Sequence, residues 1–191
     1  MQDWEESYRA VPPWDIGRPQ PQFAGLSFAG RVIDVGCGTG EHTLLAASQG
    51  ADALGIDISA TAIAQAREKA RGRGLQARFE ISDALELPSL GESFDLALDS
   101  GVYHVFDDVE TRRRYAECVR SVLDPGGTLY LMCFSDRTPG DWGPQRIREA
   151  ELRETFAGGW ELVSLEPAQF EINSGLPTRY PAAWFLVARR R

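Results

Sequence analysis

Gly36, Gly38 and Gly40 alternate with Cys37 and Thr39, straight after the apolar run Val32, Ile33 and Val35 that only Asp34 interrupts. Glycines in this spacing, where a strand turns into a helix, let backbone N–H groups come close to a ligand. Three more acids close short apolar runs: Asp57 in Gly55-Ile56-Asp57-Ile58, Asp83 in Ile81-Ser82-Asp83-Ala84, and Asp99 in Leu98-Asp99-Ser100. A carboxylate offers two acceptor oxygens, which suits the paired hydroxyls of a ribose at Asp57, with Ile58 beside it. Asp83 suits an exocyclic amine of adenine, and Ala84 can offer a backbone N–H to a ring nitrogen. A dinucleotide turn would place a small residue three positions after Gly38, but Glu41 stands there. Its charge would repel a pyrophosphate at a helix N-terminus. The Gly-Lys-Ser or Gly-Lys-Thr of a phosphate loop is absent. The pattern therefore indicates an adenosine ligand without phosphate. The plainer reading of each part is a tight turn at the glycines, a helix cap at Asp57 and a turn acid at Asp83.

The chain has two histidines, His42 and His104. His104 follows the run that ends at Asp99. It can take a proton, hydrogen-bond a bound molecule, or simply pack against backbone. His42 lies in the first turn of the helix after the glycines, where it touches a ligand's edge or caps a neighbouring segment. Tyr103 is a second proton-handling candidate or a pocket wall. Trp14 can stack on a base, wall a pocket or pack at a sheet edge. Arg18 can meet a carboxylate bidentately or stay solvated, with Asp15 as its expected partner. Trp142 stands in a polar Gly/Pro loop, either at a substrate or at a surface contact. The run Arg112 to Arg114 reads as a solvated helix face. Cys37 reads as a small residue that fits the turn, and Cys118 and Cys133 as core.

These side chains need a scaffold, and the chain supplies strand and helix patterns in alternation. Strands are expected at 31–35, 53–58, 77–81, 93–99 and 128–134, with late strands at 160–165 and 182–189. Helices are expected from the glycine turn to about residue 48, and over 60–72, 107–123 and 148–156. Asp124-Pro125-Gly126-Gly127 reads as a turn. Alternation of this kind implies an α/β fold with a mostly parallel sheet and helices on both faces. Residues 1–30 differ from the rest. Pro12, Pro13, Pro19 and Pro21 rule out a long helix there, while Trp4 and Trp14 argue for an ordered arm packed over something. The expected organisation is an arm over 1–30 and one domain over 31–191.

Lys plus Arg number 20 against 28 Asp plus Glu, a formal charge of −8. That balance disfavours nucleic acid and anionic membrane surfaces as partners and leaves a small molecule. Three cysteines in no metal or redox spacing, and a start without a basic-apolar leader, suggest a cytoplasmic protein with no metal. A monomer and a homodimer are equally compatible with the sequence.

Val32 to Gly40, Gly55-Ile56-Asp57, Ser82-Asp83-Ala84, Phe94-Asp95-Leu96 and Leu123-Asp124-Pro125-Gly126-Gly127 resemble, in order and spacing, the motif series of class I S-adenosylmethionine-dependent methyltransferases. The resemblance spans about residues 30–134. It implies a single-domain Rossmann-like, seven-stranded sheet with the last strand antiparallel, and S-adenosylmethionine as cofactor with S-adenosylhomocysteine as product. It implies cofactor contacts at Asp34, Gly36, Cys37, Gly38, Thr39, Gly40, Asp57, Ile58, Asp83, Ala84 and Asp99. Trp4-Glu5, Pro13-Trp14-Asp15-Ile16-Gly17-Arg18 and Pro21 resemble the N-terminal segment of the thiol/halide and thiopurine methyltransferases, and of small actinobacterial-type enzymes acting on quinone-like or nitrogen-heterocycle substrates. In those relatives the arm closes over the cofactor, which makes Trp14, Gly17 and Arg18 lid candidates.

The activity so implied is in-line methyl transfer to a heteroatom of a small aromatic or heterocyclic metabolite, with thiol sulfur favoured. Transfer to nitrogen or oxygen with His104 as base is the second enzymatic reading, and Tyr103 is the other catalytic candidate. A cofactor-binding regulatory protein without turnover, and a nicotinamide dehydrogenase, are the readings from other classes.

Overall fold

The computed structural model describes residues 3–140, 142–173 and 178–191. Its centre is a seven-stranded sheet: β1 (Arg31–Val35), β2 (Asp52–Asp57), β3 (Arg78–Ile81), β4 (Phe94–Ser100), β5 (Leu123–Phe134), β6 (Trp160–Gln169) and β7 (Ala182–Arg190). The order is β3-β2-β1-β4-β5-β7-β6. β1 to β5 pair in parallel, while β7 runs antiparallel to both neighbours, β5 and β6. The α/β, Rossmann-like expectation with an antiparallel last strand therefore holds. Strand order reverses between β1 and β4, and sheets of this kind open a ligand crevice beyond the carboxyl ends at such a reversal.

Period-two alternation sends Val32, Leu98 and Met132 to one face of the sheet, and Ile33, Ala97, Leu129 and Leu131 to the other. Helix α2 (Pro21–Ala24) and α3 (Glu41–Ser48) cover the first face through Phe23 and Ala46. Helices α5 (Val109–Val122) and α6 (Glu149–Thr155) cover the second through Tyr115, Val119 and Leu152. Between β2 and β3 lies α4 (Ala60–Arg73), whose Ile63 and Ala66 pack on Leu44 and Phe79. It opens on a Ser59 cap that accepts the Ala62 N–H at 3.1 Å, and ends at Gly74 in the left-handed region. The arm contributes α1 (Trp4–Ser7), which packs against α4.

Two expectations change. The turn at 124–127 does not precede β5 but lies within it, because Leu123 already pairs with Phe94 and the register then jumps to Leu96 and Thr128. Gly126, at a positive φ of 83°, lets the extra residues loop out as a bulge. Arg112 is not part of a solvated face. It is buried, donates from Nε to Glu151 at 2.6 Å and also bonds the Phe106 carbonyl. It ties α5 to α6 and to the turn that carries His104.

Arg113 pairs with Glu154 in the open, so the adjacent arginines give a clean comparison. Arg112→Ala leaves a largely buried Glu151 without its cation and is expected to cost about 3 kcal/mol in urea unfolding. Arg113→Ala should cost less than about 0.5 kcal/mol.

Candidate functional site

The glycine turn is built by close approach. A side chain at Gly36 would overlap Cγ2 of Val102, and one at Gly38 would lie 2.7 Å from the Tyr8 hydroxyl; both glycines have positive φ. Val102 opens the turn after β4, so the two loops beyond the ends of β1 and β4 are packed against each other. Cys37 points inward, buried and with its thiol raised well above its ordinary pKa by burial, so only its backbone belongs to the turn. Thr39 donates from Oγ1 to Asp15 at 2.8 Å and accepts from Lys69 at 2.6 Å.

The four strand-end acids separate into two kinds. Asp34 is buried and accepts the Thr43 N–H at 3.0 Å and hydroxyl at 2.6 Å. Burial pushes it up to about 7 in spite of those bonds. Asp99 is buried too and accepts from the Val102 N–H (2.7 Å), the Tyr103 N–H (3.0 Å) and the Tyr115 hydroxyl (2.9 Å). Burial raises it to about 6. Both hold loops in place through these internal bonds. Asp57, buried as well, and the exposed Asp83 stand on the β2–β3 side of the opening. Asp57 accepts the Gly38 N–H and the Ser59 N–H, each at 2.9 Å, and burial raises its carboxyl. Asp83 is exposed, with Oδ1 accepting the Leu85 N–H at 2.8 Å. Between them Ile58 and Ile81 are 56% and 57% exposed, so two aliphatic side chains stand open beside the two acids. Ala84 is half-buried beside Asp83.

The arm lies across this opening. Glu5 accepts from the Ser59 hydroxyl at 2.8 Å and from Thr61 at the start of α4. Tyr8 is buried over Gly38, accepts the Trp14 Nε1–H at 3.1 Å, and is held back from ionising mainly by burial. Trp14 also meets Trp4 edge-on at 5.7 Å. Asp15 pairs with Thr39 and Lys69 rather than with Arg18, and its Oδ1 accepts the Gly17 N–H, which explains the positive φ of Gly17. Arg18 instead pairs with Glu171 and lines a small surface pocket with Arg179 and Tyr180. That corrects the expected Arg18–Asp15 pairing. His42 caps the arm: its Nε2 accepts the Gln20 N–H at 3.1 Å, and burial lowers its pKa to about 4.

On the other side of the crevice His104 is buried in the turn after β4. Its Nδ1 accepts the Phe134 N–H at 2.7 Å, and its ring lies 4.8 Å from Phe134 and 5.8 Å from Phe170. Burial first, then the charge of Arg146, lowers its pKa to about 3. Trp142 meets Phe134 edge-on at 5.9 Å, and the Arg146 guanidinium lies over both rings. Tyr103 turns the other way, into the core, where its hydroxyl bonds Thr155 on α6 at 3.0 Å. Its expected catalytic role is thereby withdrawn. Sequence reasoning missed Tyr8, Ile81, Phe134 and Phe170. The first three adjoin motifs that were singled out, whereas Phe170 arrives from a segment with no signal of its own. No cluster of metal-ligating side chains occurs among the described residues, and no helix among them is long and apolar enough to cross a membrane.

A reversal-point glycine turn, an acid at the end of β2 and an apolar seat before a second acid define an adenosine-binding Rossmann-like site, and the chain belongs to the S-adenosylmethionine-dependent methyltransferases. Residues 32–127 match the family described as a methyltransferase domain. Along 91% of its length the chain is 32% identical to the 2-heptyl-1-hydroxyquinolin-4(1H)-one methyltransferase of Mycobacteroides abscessus, covering 83% of that protein. It is 29% identical to a probable thiol methyltransferase of Arabidopsis thaliana, over 85% of this chain and 75% of the other. A solved structure from work on the conversion of a disulfide bond into a thioacetal group during echinomycin biosynthesis superposes with a TM-score of 0.85 at 35% identity, covering 98% of this chain and 90% of that one. The protein is thus an enzyme that uses S-adenosylmethionine and acts on small molecules.

Two outcomes check the site. Gly38→Ala forces a side chain against Tyr8 at a positive φ and should abolish the thermal shift produced by S-adenosylhomocysteine. Asp34 and Asp99 hold their protons more tightly folded than unfolded, where a carboxylate titrates near 3.9, so their contribution to stability fades as pH rises from about 4 to about 7. Asp34→Asn cannot ionise, so its melting temperature should gain on that of the native protein across the same window.

Proposed function

We propose that the enzyme transfers the methyl group to an acidic heteroatom, a thiol sulfur or an acidic hydroxyl oxygen, on a small aromatic or heterocyclic acceptor. The observation that carries this is the cluster of Phe134, Phe170 and Trp142 packed around His104 after the ends of β4 and β5. Flat aromatic faces at that place favour a flat acceptor. The similarity to a hydroxyquinolone methyltransferase and to a probable thiol methyltransferase supports oxygen and sulfur as the receiving atoms.

S-adenosylmethionine, when bound, supplies a methyl group already activated on a sulfonium leaving group, so the protein's task is alignment. The residues present fit it. Asp57 would hold the ribose hydroxyls, Ile58 and Ile81 would sandwich the adenine, Asp83 and Ala84 would meet its edge, and the backbone of residues 36–40 would hold the amino-acid end. Residues 1–30 act as a lid, with Trp14 and Gly17 shaping it and Tyr8 and Asp15 pressing it onto the turn. A cytoplasmic setting accords with three free, buried cysteines.

The test is S-adenosylhomocysteine production across a panel of heteroaromatic thiols, N-hydroxy heterocycles, phenols and aliphatic alcohols. Activity should concentrate in the first two classes. Phe170→Ala should raise KM for a good acceptor about tenfold while leaving the KM for S-adenosylmethionine within about twofold. Turnover confined to aliphatic alcohols would overturn the reading.

A further inference from the structure

We propose that His104 is a fixed hydrogen-bond donor to the acceptor's reacting atom, not a base, and that the enzyme takes its acceptors as preformed anions. This rests on the methyl-transfer reading and specifies the substrate class within it.

Three observations lead there. A neutral imidazole has one protonated and one bare nitrogen. Nδ1 of His104 accepts the Phe134 N–H at 2.7 Å, so it is the bare one and the proton sits on Nε2. The lone pair a base would use is thus already spent on backbone inside the fold. Second, Nε2 has no hydrogen-bond partner among the described residues. The shielded polar atoms that lack partners are Gln22 Oε1, Trp160 Nε1 and Arg190 Nε, and His104 Nε2 is not one of them, so it reaches open space. Third, Nε2 lies against Gly101, 3.3 Å from where a side chain there would begin, in the turn whose Val102 meets Gly36 of the glycine turn.

Among the described residues, the groups around the ring are already engaged. Asp99 on β4 is saturated by three donors, Asp107 after it bonds Gln145, and Glu171 beyond β6 pairs with Arg18. Tyr103 is bonded to Thr155 and Cys133 is buried with its thiol pushed up. Arg146, from the loop after β5, is the charged group that acts on His104 and disfavours its protonation. Burial of the imidazole keeps it uncharged at working pH, so it donates without titrating.

The chemistry balances without a proton for the protein to take. The acceptor loses its proton to water before binding. Its lone pair forms the new bond to the methyl carbon as the carbon–sulfur bond breaks, and that electron pair neutralises the sulfonium. Until then the Nε2–H holds the anion in line, a charge-assisted bond stronger than a neutral one.

Long-range ¹⁵N NMR reads the tautomers directly, because the chain has two histidines and the structure gives them opposite forms. His104 should be protonated on Nε2 and His42 on Nδ1, whose Nε2 accepts the Gln20 N–H. Neither should titrate above about pH 5. A nitroaromatic thiol, coloured only as its thiolate, should bind without cofactor in its coloured form. His104→Gln keeps both an acceptor for Phe134 and a donor for the ligand, and should hold that affinity within about threefold. His104→Phe should lose about tenfold or more, with the affinity for S-adenosylhomocysteine unchanged in both. Across acceptors, the lower limb of kcat/KM against pH should track each acceptor's own pKa. An enzyme-borne pKa common to all acceptors, or a His104 ring protonated on Nδ1, overturns the donor role and leaves methyl transfer standing. No S-adenosylhomocysteine from any acceptor overturns both.

Discussion

The hydrogen bond from the Gly38 N–H to the Asp57 carboxylate is the contact on which the rest of the site depends. It joins the turn after β1 to the end of β2. The same carboxylate accepts the Ser59 N–H and so sets the start of α4. A buried carboxylate is costly unless hydrogen-bonded, and here backbone donors offset the burial. Once α4 is placed, its Lys69 and Arg73 reach Glu41 and clamp the first turn of α3. Its first residues also receive Glu5 of the arm. One side chain thereby fixes the turn and the start of the helix against which the arm packs.

Glu41 illustrates where sequence reasoning reached a sound result by an incomplete route. Its negative charge excluded a pyrophosphate on electrostatic grounds. In the structure that charge is matched by two cations and directed at α4, so its main work is tying helices together. The strand-end acids carry the same lesson. Asp34, Asp57, Asp83 and Asp99 look alike as letters at the ends of apolar runs. What separates them is burial and the partner each finds, Thr43 nine residues on or Tyr115 sixteen residues on. Those partners are brought by tertiary packing, which spacing along the chain does not encode. The sheet itself was legible because each buried strand is a short apolar run closed by a turn signal, a local property. The bulge at 124–127 was not, since a turn and a looped-out stretch of strand share the same Pro-Gly-Gly chemistry.

The arm is more than a cover for the cofactor turn. Gln20 exchanges hydrogen bonds with the backbone of Glu171, Asn173 donates to the Asp15 carbonyl at 2.6 Å, and the Asn173 N–H bonds Pro13. The segment so gripped carries Phe170, which faces His104. Tyr8 and Asp15 of the same arm press on Gly38 and Thr39. Proline density makes the arm stiff, so its two ends of contact are mechanically linked. The arm thereby contacts both the glycine turn and the segment that carries Phe170.

An anionic acceptor seems at odds with a protein of charge −8, but distance decides the matter. At physiological ionic strength charges separated by more than about 8 Å are largely screened, so the acidic surface acts weakly on a ligand already in the crevice. Close to the His104 ring, Asp99 is engaged by three donors, and the Arg146 guanidinium lies over Phe134 and Trp142. Short-range donors in a water-poor site outweigh a screened far field. The acidic surface then costs association rate more than affinity, and the pocket can select a thiolate or an acidic hydroxyl even though the molecule as a whole repels it.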